Sequence, residues 1–589
     1  MTSRKPLGLL IPAALLVLSG CLNDVAGTDG GPLDTTCIEC NDAGPDAGVD
    51  AGNLGDGGEY DAGPIDAGPI DAGPIDAGAI DAGPVDAGPV DAGPEDAGPV
   101  DAGPVDAGPE DAGPVDAGPI DAGPQGDGGP WIALSVSGNP VNVLSAVGSV
   151  TADPAVVSVH VDFATLVDAG PATSTPEFAM RSGAVIVPVL PLRAQTSYSF
   201  TAVGALSDGG TLSSAPATLT TNALPLALHA FTVTTDGGPI EPGYTLIARL
   251  PQVASGSVNY VSIVDASGAP VWYLGLNPGL VGDFQKQPDG TYTIAVDDVA
   301  HAVSGLPEAV ATFAQYDVLG NQVATWATQG TIATDCHEFL LQPDGTALML
   351  GLVEQTVDMS AYAANGNPSA TVIENVVQRV APDGGVLFSW NTFDDLSIDA
   401  MDHTVPRTGS VIDATHANSI AVLADGNYLV SLRNMSQLVK VNATTGDVMW
   451  KLGGQYSDGG AAGDFNFVND PLGGFSLQHA ARELPNGDII LFDDGNGHVP
   501  PQSRAVEYML DTTSSPMTAT LVWSAEDSPP LYAYALGYAQ RLGNGDTLIT
   551  YGTTSHVQEV DTNGNVLWDL FDLTHPFGIY RAFRVGSLY

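Results

Sequence analysis

Six tryptophans constrain this chain more than any other feature. Trp272, Trp326, Trp390, Trp450, Trp523 and Trp568 end similar phrases, among them Asp265-Ala-Ser-Gly-Ala-Pro-Val-Trp272 and Asp561-Thr-Asn-Gly-Asn-Val-Leu-Trp568. They recur every 45 to 73 residues. Upstream of most stands a second phrase, in which two apolar runs flank Asp-Gly or Asn-Gly. Phe339-Leu-Leu-Gln-Pro-Asp344-Gly345-Thr-Ala-Leu-Met-Leu and Ile420-Ala-Val-Leu-Ala-Asp425-Gly426-Asn-Tyr-Leu-Val are examples. Asp-Gly and Asn-Gly between alternating apolar residues are strong hairpin signals, because tight turns need a positive φ. Two hairpins per unit give four strands. Six four-stranded units at this period predict the blades of a β-propeller, each burying its faces against its neighbours and wedging a tryptophan between them. A pair of sandwiches would give no reason for a six-fold tryptophan register.

Residues 131–225 read differently. Short alternating runs such as Val156–Val161, Ala184–Val189 and Ser197–Val203 are separated by Gly, Pro, Asp and Ser turns, the pattern of a β-sandwich. Leu192-Arg-Ala-Gln-Thr-Ser-Tyr198-Ser-Phe resembles the tyrosine corner of fibronectin type III and related immunoglobulin-like domains. The expected role is that of a spacer without a site of its own.

The N-terminal 130 residues predict export and tethering. Arg4 and Lys5 precede the mostly apolar Leu9–Leu18, and Leu18-Ser19-Gly20-Cys21 matches the pattern ahead of a lipidated bacterial cysteine. The apolar run is too short to span a bilayer, which needs about 20 residues. Residues 1–20 are therefore expected to be a lipoprotein signal peptide, with Cys21 as the lipidation site. Residues 21–130 contain Asp-Ala-Gly-Pro-(Ile/Val/Glu) repeats from Asp61 to Pro124. Proline at nearly every fifth residue forbids helix, and the carboxylates repel one another, so a disordered acidic stalk is expected. The net charge of −53 is unevenly distributed, since no Lys or Arg occurs between Lys5 and Arg181 to compensate the acidic residues there. Such acidity disfavours nucleic acid and anionic lipid surfaces as partners.

Residues 226–589 hold the chemistry-bearing residues. Counting back eight residues from the hairpin glycines Gly345, Gly426 and Gly487 gives His337, Asn418 and His479. Equivalent positions on successive blades should converge at one end of the axis. His416, two residues before Asn418, returns to the same strand face. Arg433 lies on the return strand of that hairpin. His301, His403, His498, His556 and His575 fall outside this register, and His160 and His229 outside the propeller core. Three histidines can hold zinc. The supporting Asn and Arg are not ligands, however, and a guanidinium suits an anionic substrate better. No metal and no cofactor are expected.

Thr415–Asn434, Gly446–Gly454 and Leu477–Asn496 resemble the central blades of the aryl-sulfate sulfotransferase family. The resemblance implies a β-sandwich followed by a six-bladed propeller. It also implies sulfuryl transfer from an aryl sulfate to a phenol without a nucleotide. Gln478-His479-Ala480-Ala481 matches the phrase of the family's nucleophilic histidine, and His337, His416 and Arg433 match its supporting residues. Asn418 is expected to bind substrate. Some members carry a disulfide near the site; only Cys336 stands there in this chain, so none is expected. Sulfuryl transfer requires an in-line nucleophile, cations around the equatorial oxygens and an acid for the departing phenoxide. His479 is the expected nucleophile. The division of labour between His337 and His416 stays open. The competing readings are a cell-surface propeller binding a glycan or protein and a quinone-dependent dehydrogenase. The latter would need a metal-ligand set that the sequence lacks.

Overall fold

The computed structural model describes residues 129–167, 171–228, 230–250, 258–276, 282–297, 310–455, 463–572 and 578–589. The expected signal peptide, Cys21 and nearly all of the acidic stalk lie outside them. The described chain is all-β, interrupted only by helical turns of three or four residues. None of its helices is long and apolar enough to cross a membrane.

Two sheets form the first part. One orders the strands Ile132–Gly138, Ala146–Ala152 and Ala184–Val189; the other is centred on Val156–Thr165 and Ser197–Leu206. Alternation decides which face is buried. Val159, Val161 and Phe163 on one strand meet Phe200 and Ala202 on its neighbour, and Val150, Val187 and Val189 close the core from the other sheet. The Arg193 backbone N–H donates to the Tyr198 hydroxyl at 2.8 Å, the local geometry expected of the tyrosine corner. Asn139 reaches the next part of the chain, its side-chain amide donating to the Leu319 carbonyl at 2.7 Å.

Six further sheets follow, each an antiparallel meander of four main strands. Their outermost meander strands are Pro270–Leu276, Gln322–Trp326, Val386–Asn391, Val448–Gly453, Met517–Ala525 and Val566–Phe571, and each carries one tryptophan of the repeat. Gly345 and Gly426 adopt φ near +82° in the Asp-Gly turns, where a side chain would be strained. Three of the tryptophans reach backbone of another sheet. Trp272 Nε1 donates to the Val318 carbonyl and Trp568 Nε1 to the Ala266 carbonyl, both at 2.8 Å; Trp523 Nε1 donates to the Thr562 carbonyl at 3.1 Å.

The innermost strands begin at Phe284, Ala333, Ala417, His479, Tyr538 and Ile579. The strand Ile579–Val585 pairs with Tyr244–Arg249, so the first sheet combines strands from distant parts of the sequence. Neighbouring sheets contact through or beside these inner strands, and Ile579–Val585 contacts both the sixth sheet and Phe284–Lys286 of the second. In the third sheet, Ala347–Val357 and Ala370–Val380 run to 11 residues each. Their extension pairs with Val411–Asp413 and builds a local core around Met359, Met401 and Ile412. His416 follows Val411–Asp413 by three residues.

Candidate active site

The inner strands of the third, fourth and fifth sheets each carry an irregularity where they begin. Pairing of Ala333–Leu341 breaks between Thr334 and Phe339, that of Ala417–Val422 between Ala417 and Ser419, and that of His479–Glu483 between His479 and Arg482. Such bulges re-aim side chains out of the pleat. His337 lies inside the first break, His416 immediately ahead of the second strand, and His479 at the edge of the third. Their rings come together: His337 and His416 centroids are 4.8 Å apart, His416 and His479 centroids 6.4 Å.

A carboxylate stands behind each ring. His337 Nδ1 lies 2.6 Å from Asp335 Oδ1, His416 Nδ1 2.5 Å from Asp413 Oδ2, and His479 Nδ1 2.7 Å from Asp494 Oδ2. A carboxylate only accepts, so each Nδ1 carries the hydrogen and donates it. In a neutral ring the lone pair is then on Nε2. The Nε2 atoms of His337 and His479 are buried without a hydrogen-bond partner among the described residues. Buried polar atoms are usually paired, so these two suit a ligand.

Arg433 is buried beside them. Its backbone N–H donates to the His416 carbonyl at 3.0 Å. Its guanidinium donates to Asn434 Oδ1 at 3.1 Å and to the Tyr534 carbonyl at 2.9 Å, and its Nε lies 3.7 Å from Asp494 Oδ2. Burial pushes the His479 imidazole well below its ordinary pKa, and the nearby Arg433, His416, His337 and Arg581 push the same way. His479 is therefore neutral near pH 7. Its Nε2 lone pair is available for attack.

The neighbouring interior is ionic. Arg581 Nη1 lies 3.1 Å from Glu338 and 3.4 Å from Asp283, and its other nitrogen donates to the Asn418 carbonyl. Arg482 pairs with Glu338 at 2.7 Å, and Gln285 Nε2 donates to Asp283 and Glu338 at 2.6 Å each. The Tyr580 hydroxyl donates to the His337 carbonyl at 2.9 Å. This cluster ties five inner strands to one another close to the histidines.

The structure thus brings together His337, His416, Arg433 and His479, as the register predicts. Asn418 is fully buried, and its side chain is engaged by backbone on either side of His479. The other described histidines have their own neighbours. His498 pairs with Asp493 at 2.8 Å, His556 stacks on Phe571, His160 contacts Glu177 at 2.6 Å, and the half-exposed His403 lies 3.8 Å from Asp402. His229, His301 and His575 lie outside the described residues. The sequence reading missed Asp335, Asp413 and Asp494. An Asp two or three residues before a site histidine was the available signal for the first two.

One expectation is corrected. Cys336, fully buried next to His337, is disulfide-bonded, although no disulfide was expected near the site. The chain's other cysteines, Cys21, Cys37 and Cys40, all lie outside the described residues. Asp335, Cys336 and His337 place one potential metal-ligand atom each within 4.8 Å of the others. The disulfide takes the Cys336 thiolate out of that group, which leaves one carboxylate and one imidazole, fewer ligands than the four of a structural zinc site.

Residues 319–572 match the family model described as arylsulfotransferase (ASST). The matched stretch contains every residue of the histidine–arginine site, and it supports a sulfotransferase-type enzyme with an aryl-sulfate-type substrate. No curated protein matches the chain. Among solved structures, a protein of unknown function from Bacteroides caccae is 14% identical over 59% of this chain and 100% of its own, with a TM-score of 0.37. A streptogramin B lyase is 9% identical over 60% of this chain and 91% of its own, with a TM-score of 0.32.

Proposed function

We propose that this protein transfers a sulfuryl group from an aryl sulfate to a phenolic acceptor through a sulfated His479, without a nucleotide cofactor. The observation that carries this reading is the carboxylate behind each of three clustered histidines, with buried Arg433 alongside. In the first step the His479 Nε2 lone pair attacks sulfur, and the bond from sulfur to the aryl oxygen breaks. The departing oxygen takes a proton from His337 or His416, as free phenols have a pKa near roughly 10. In the second step the same histidine removes the proton of the acceptor phenol. The phenol oxygen then attacks sulfur, and the sulfur–nitrogen bond breaks. Arg433 and the other histidine face charge on the equatorial oxygens, where preorganised donors contribute about 3–4 kcal/mol each.

The six sheets support reading residues 226–589 as a six-bladed β-propeller closed by Ile579–Val585. The two-sheet core and the Tyr198 corner support an immunoglobulin- or fibronectin III-like sandwich over 131–225. Residues 1–20 provide export and Cys21 a lipid anchor in the bacterial cell envelope, with the acidic repeat of 21–130 following the anchor in the sequence. Incubation with a chromogenic aryl sulfate tests the function. About one phenol per site is expected without acceptor, and continuous release when phenol is added. If well-folded protein consumes no aryl sulfate, the reading fails and a surface binding module takes its place.

A further inference from the structure

We propose that two buried asparagines, Asn375 and Asn418, are positioning residues that lock the three histidines into one unit. This replaces the expected substrate-binding role of Asn418, and it rests on the reading of His479 as nucleophile. Both side chains are fully buried. Asn418 Nδ2 donates to the Gln478 carbonyl at 2.7 Å, and its Oδ1 accepts the Ala480 N–H at 3.3 Å. It therefore grips the peptide groups immediately before and after His479 from the neighbouring sheet.

Asn375 repeats the arrangement around His416. Its Oδ1 accepts the Ala417 N–H at 2.8 Å and the Thr415 hydroxyl at 2.7 Å, again one residue to each side of a site histidine. Its Nδ2 donates to Asp335 Oδ2 at 3.2 Å, whose other oxygen holds His337. One asparagine thus joins His337 to His416. The second, two residues beyond His416, joins that strand to His479.

The backbone needs such clamps. His416 has φ of +46° and Ala480 φ of +56°, in the left-handed region that residues with a side chain adopt rarely. Without a partner for the Ala417 and Ala480 N–H groups, both segments would relax toward extended backbone and rotate the rings. Attack on sulfur is steeply sensitive to such misplacement, and an error of about 1 Å can cost on the order of 10²-fold.

Single-turnover kinetics with an aryl sulfate separate positioning from binding. Asn418→Ala should slow phenol release by about 10²-fold, leaving the half-saturating donor concentration within about twofold and the final yield near one phenol per site. The full yield shows that the variant is folded. Asn375→Ser should also lower the rate constant at unchanged donor affinity. A tenfold or greater rise in the half-saturating concentration with an unchanged rate constant would make Asn418 a substrate ligand and overturn the proposal. Unchanged kinetics would overturn it too. A crystal structure of Asn418→Ala gives an answer independent of turnover: Ala480 should leave the left-handed region and the contact between His479 and Asp494 should lengthen. An unaltered backbone there refutes the clamp. Absence of sulfated His479 in the wild type instead refutes the proposed function.

Discussion

Asp494 touches both His479 and Arg433: its Oδ2 lies 2.7 Å from His479 Nδ1 and 3.7 Å from Arg433 Nε. A single carboxylate oxygen therefore sets the tautomer of the proposed nucleophile and faces the cation beside it. Asp494→Asn would present an amide that can donate to Nδ1, moving the ring hydrogen to Nε2. The first step should slow by about 10³-fold or more with the fold retained, measured as the burst rate with an aryl sulfate. A burst at the wild-type rate would show that Asp494 does not set the tautomer.

His479→Ala should abolish both the burst and steady turnover. Mass spectrometry of wild-type protein quenched after aryl sulfate alone should find the sulfuryl group on His479. Recovery of the group on His337 or His416 would reassign the nucleophile. Arg433→Ala should keep the pathway and slow it by about 10²-fold.

The acid limb of the pH profile should lie lower than an ordinary histidine allows. Burial first, and then Arg433, His416, His337 and Arg581, depress the His479 pKa well below 6.5. The imidazole keeps its lone pair as pH falls through 6.5 and loses it only at more acid pH. The burst rate, followed from pH 8 downward, should hold through 6.5 before dropping. Arg433→Ala removes one of the depressing charges and should move that drop upward. A half-point near 6.5 in the wild type, unmoved in the variant, would contradict this.

Stability should respond to Asp283 in the opposite sense. Burial raises its carboxyl pKa, with Glu338 adding to the rise and Arg581 opposing it. A raised folded-state pKa means that the folded protein holds a proton the unfolded chain releases above about pH 4. The stabilisation is complete below that point and is lost as pH rises through the folded-state value. Asp283→Asn cannot titrate. Its Tm relative to wild type should therefore be higher at pH 8 than at pH 5, and a constant difference would refute the shift.

The lipid anchor is tested by Cys21→Ala, motivated by Leu18-Ser19-Gly20-Cys21. The variant should move from the membrane to the soluble fraction. Unchanged sedimentation with membranes would show another means of attachment.

Much of the site was legible because hairpin glycines and strand starts keep a fixed offset. Gly345, Gly426 and Gly487 led to His337, Asn418 and His479 through local spacing alone. Spacing locates Asn418 but does not say what its amide meets, which is the peptide groups on either side of His479. Asn375 was invisible: it lies on the third strand of its sheet, outside the register, and acts on Thr415 and Ala417, 40 and 42 residues away. The partnership of Ile579–Val585 with Tyr244–Arg249 was also hidden, since the tryptophan period marks outer strands and carries no information about inner ones.

That partnership decides when the site can exist. Tyr580 reaches the His337 carbonyl across 243 residues of chain, and Arg581 reaches Asp283 across 298. Every sheet between them must be synthesised before either contact forms. During synthesis the histidines are complete in sequence but lack the tyrosine and arginine that brace them from the first sheet. A chain halted after Trp568 would carry all four candidate catalytic side chains and still lack the strand Ile579–Val585, which pairs in the first sheet and contacts the sixth.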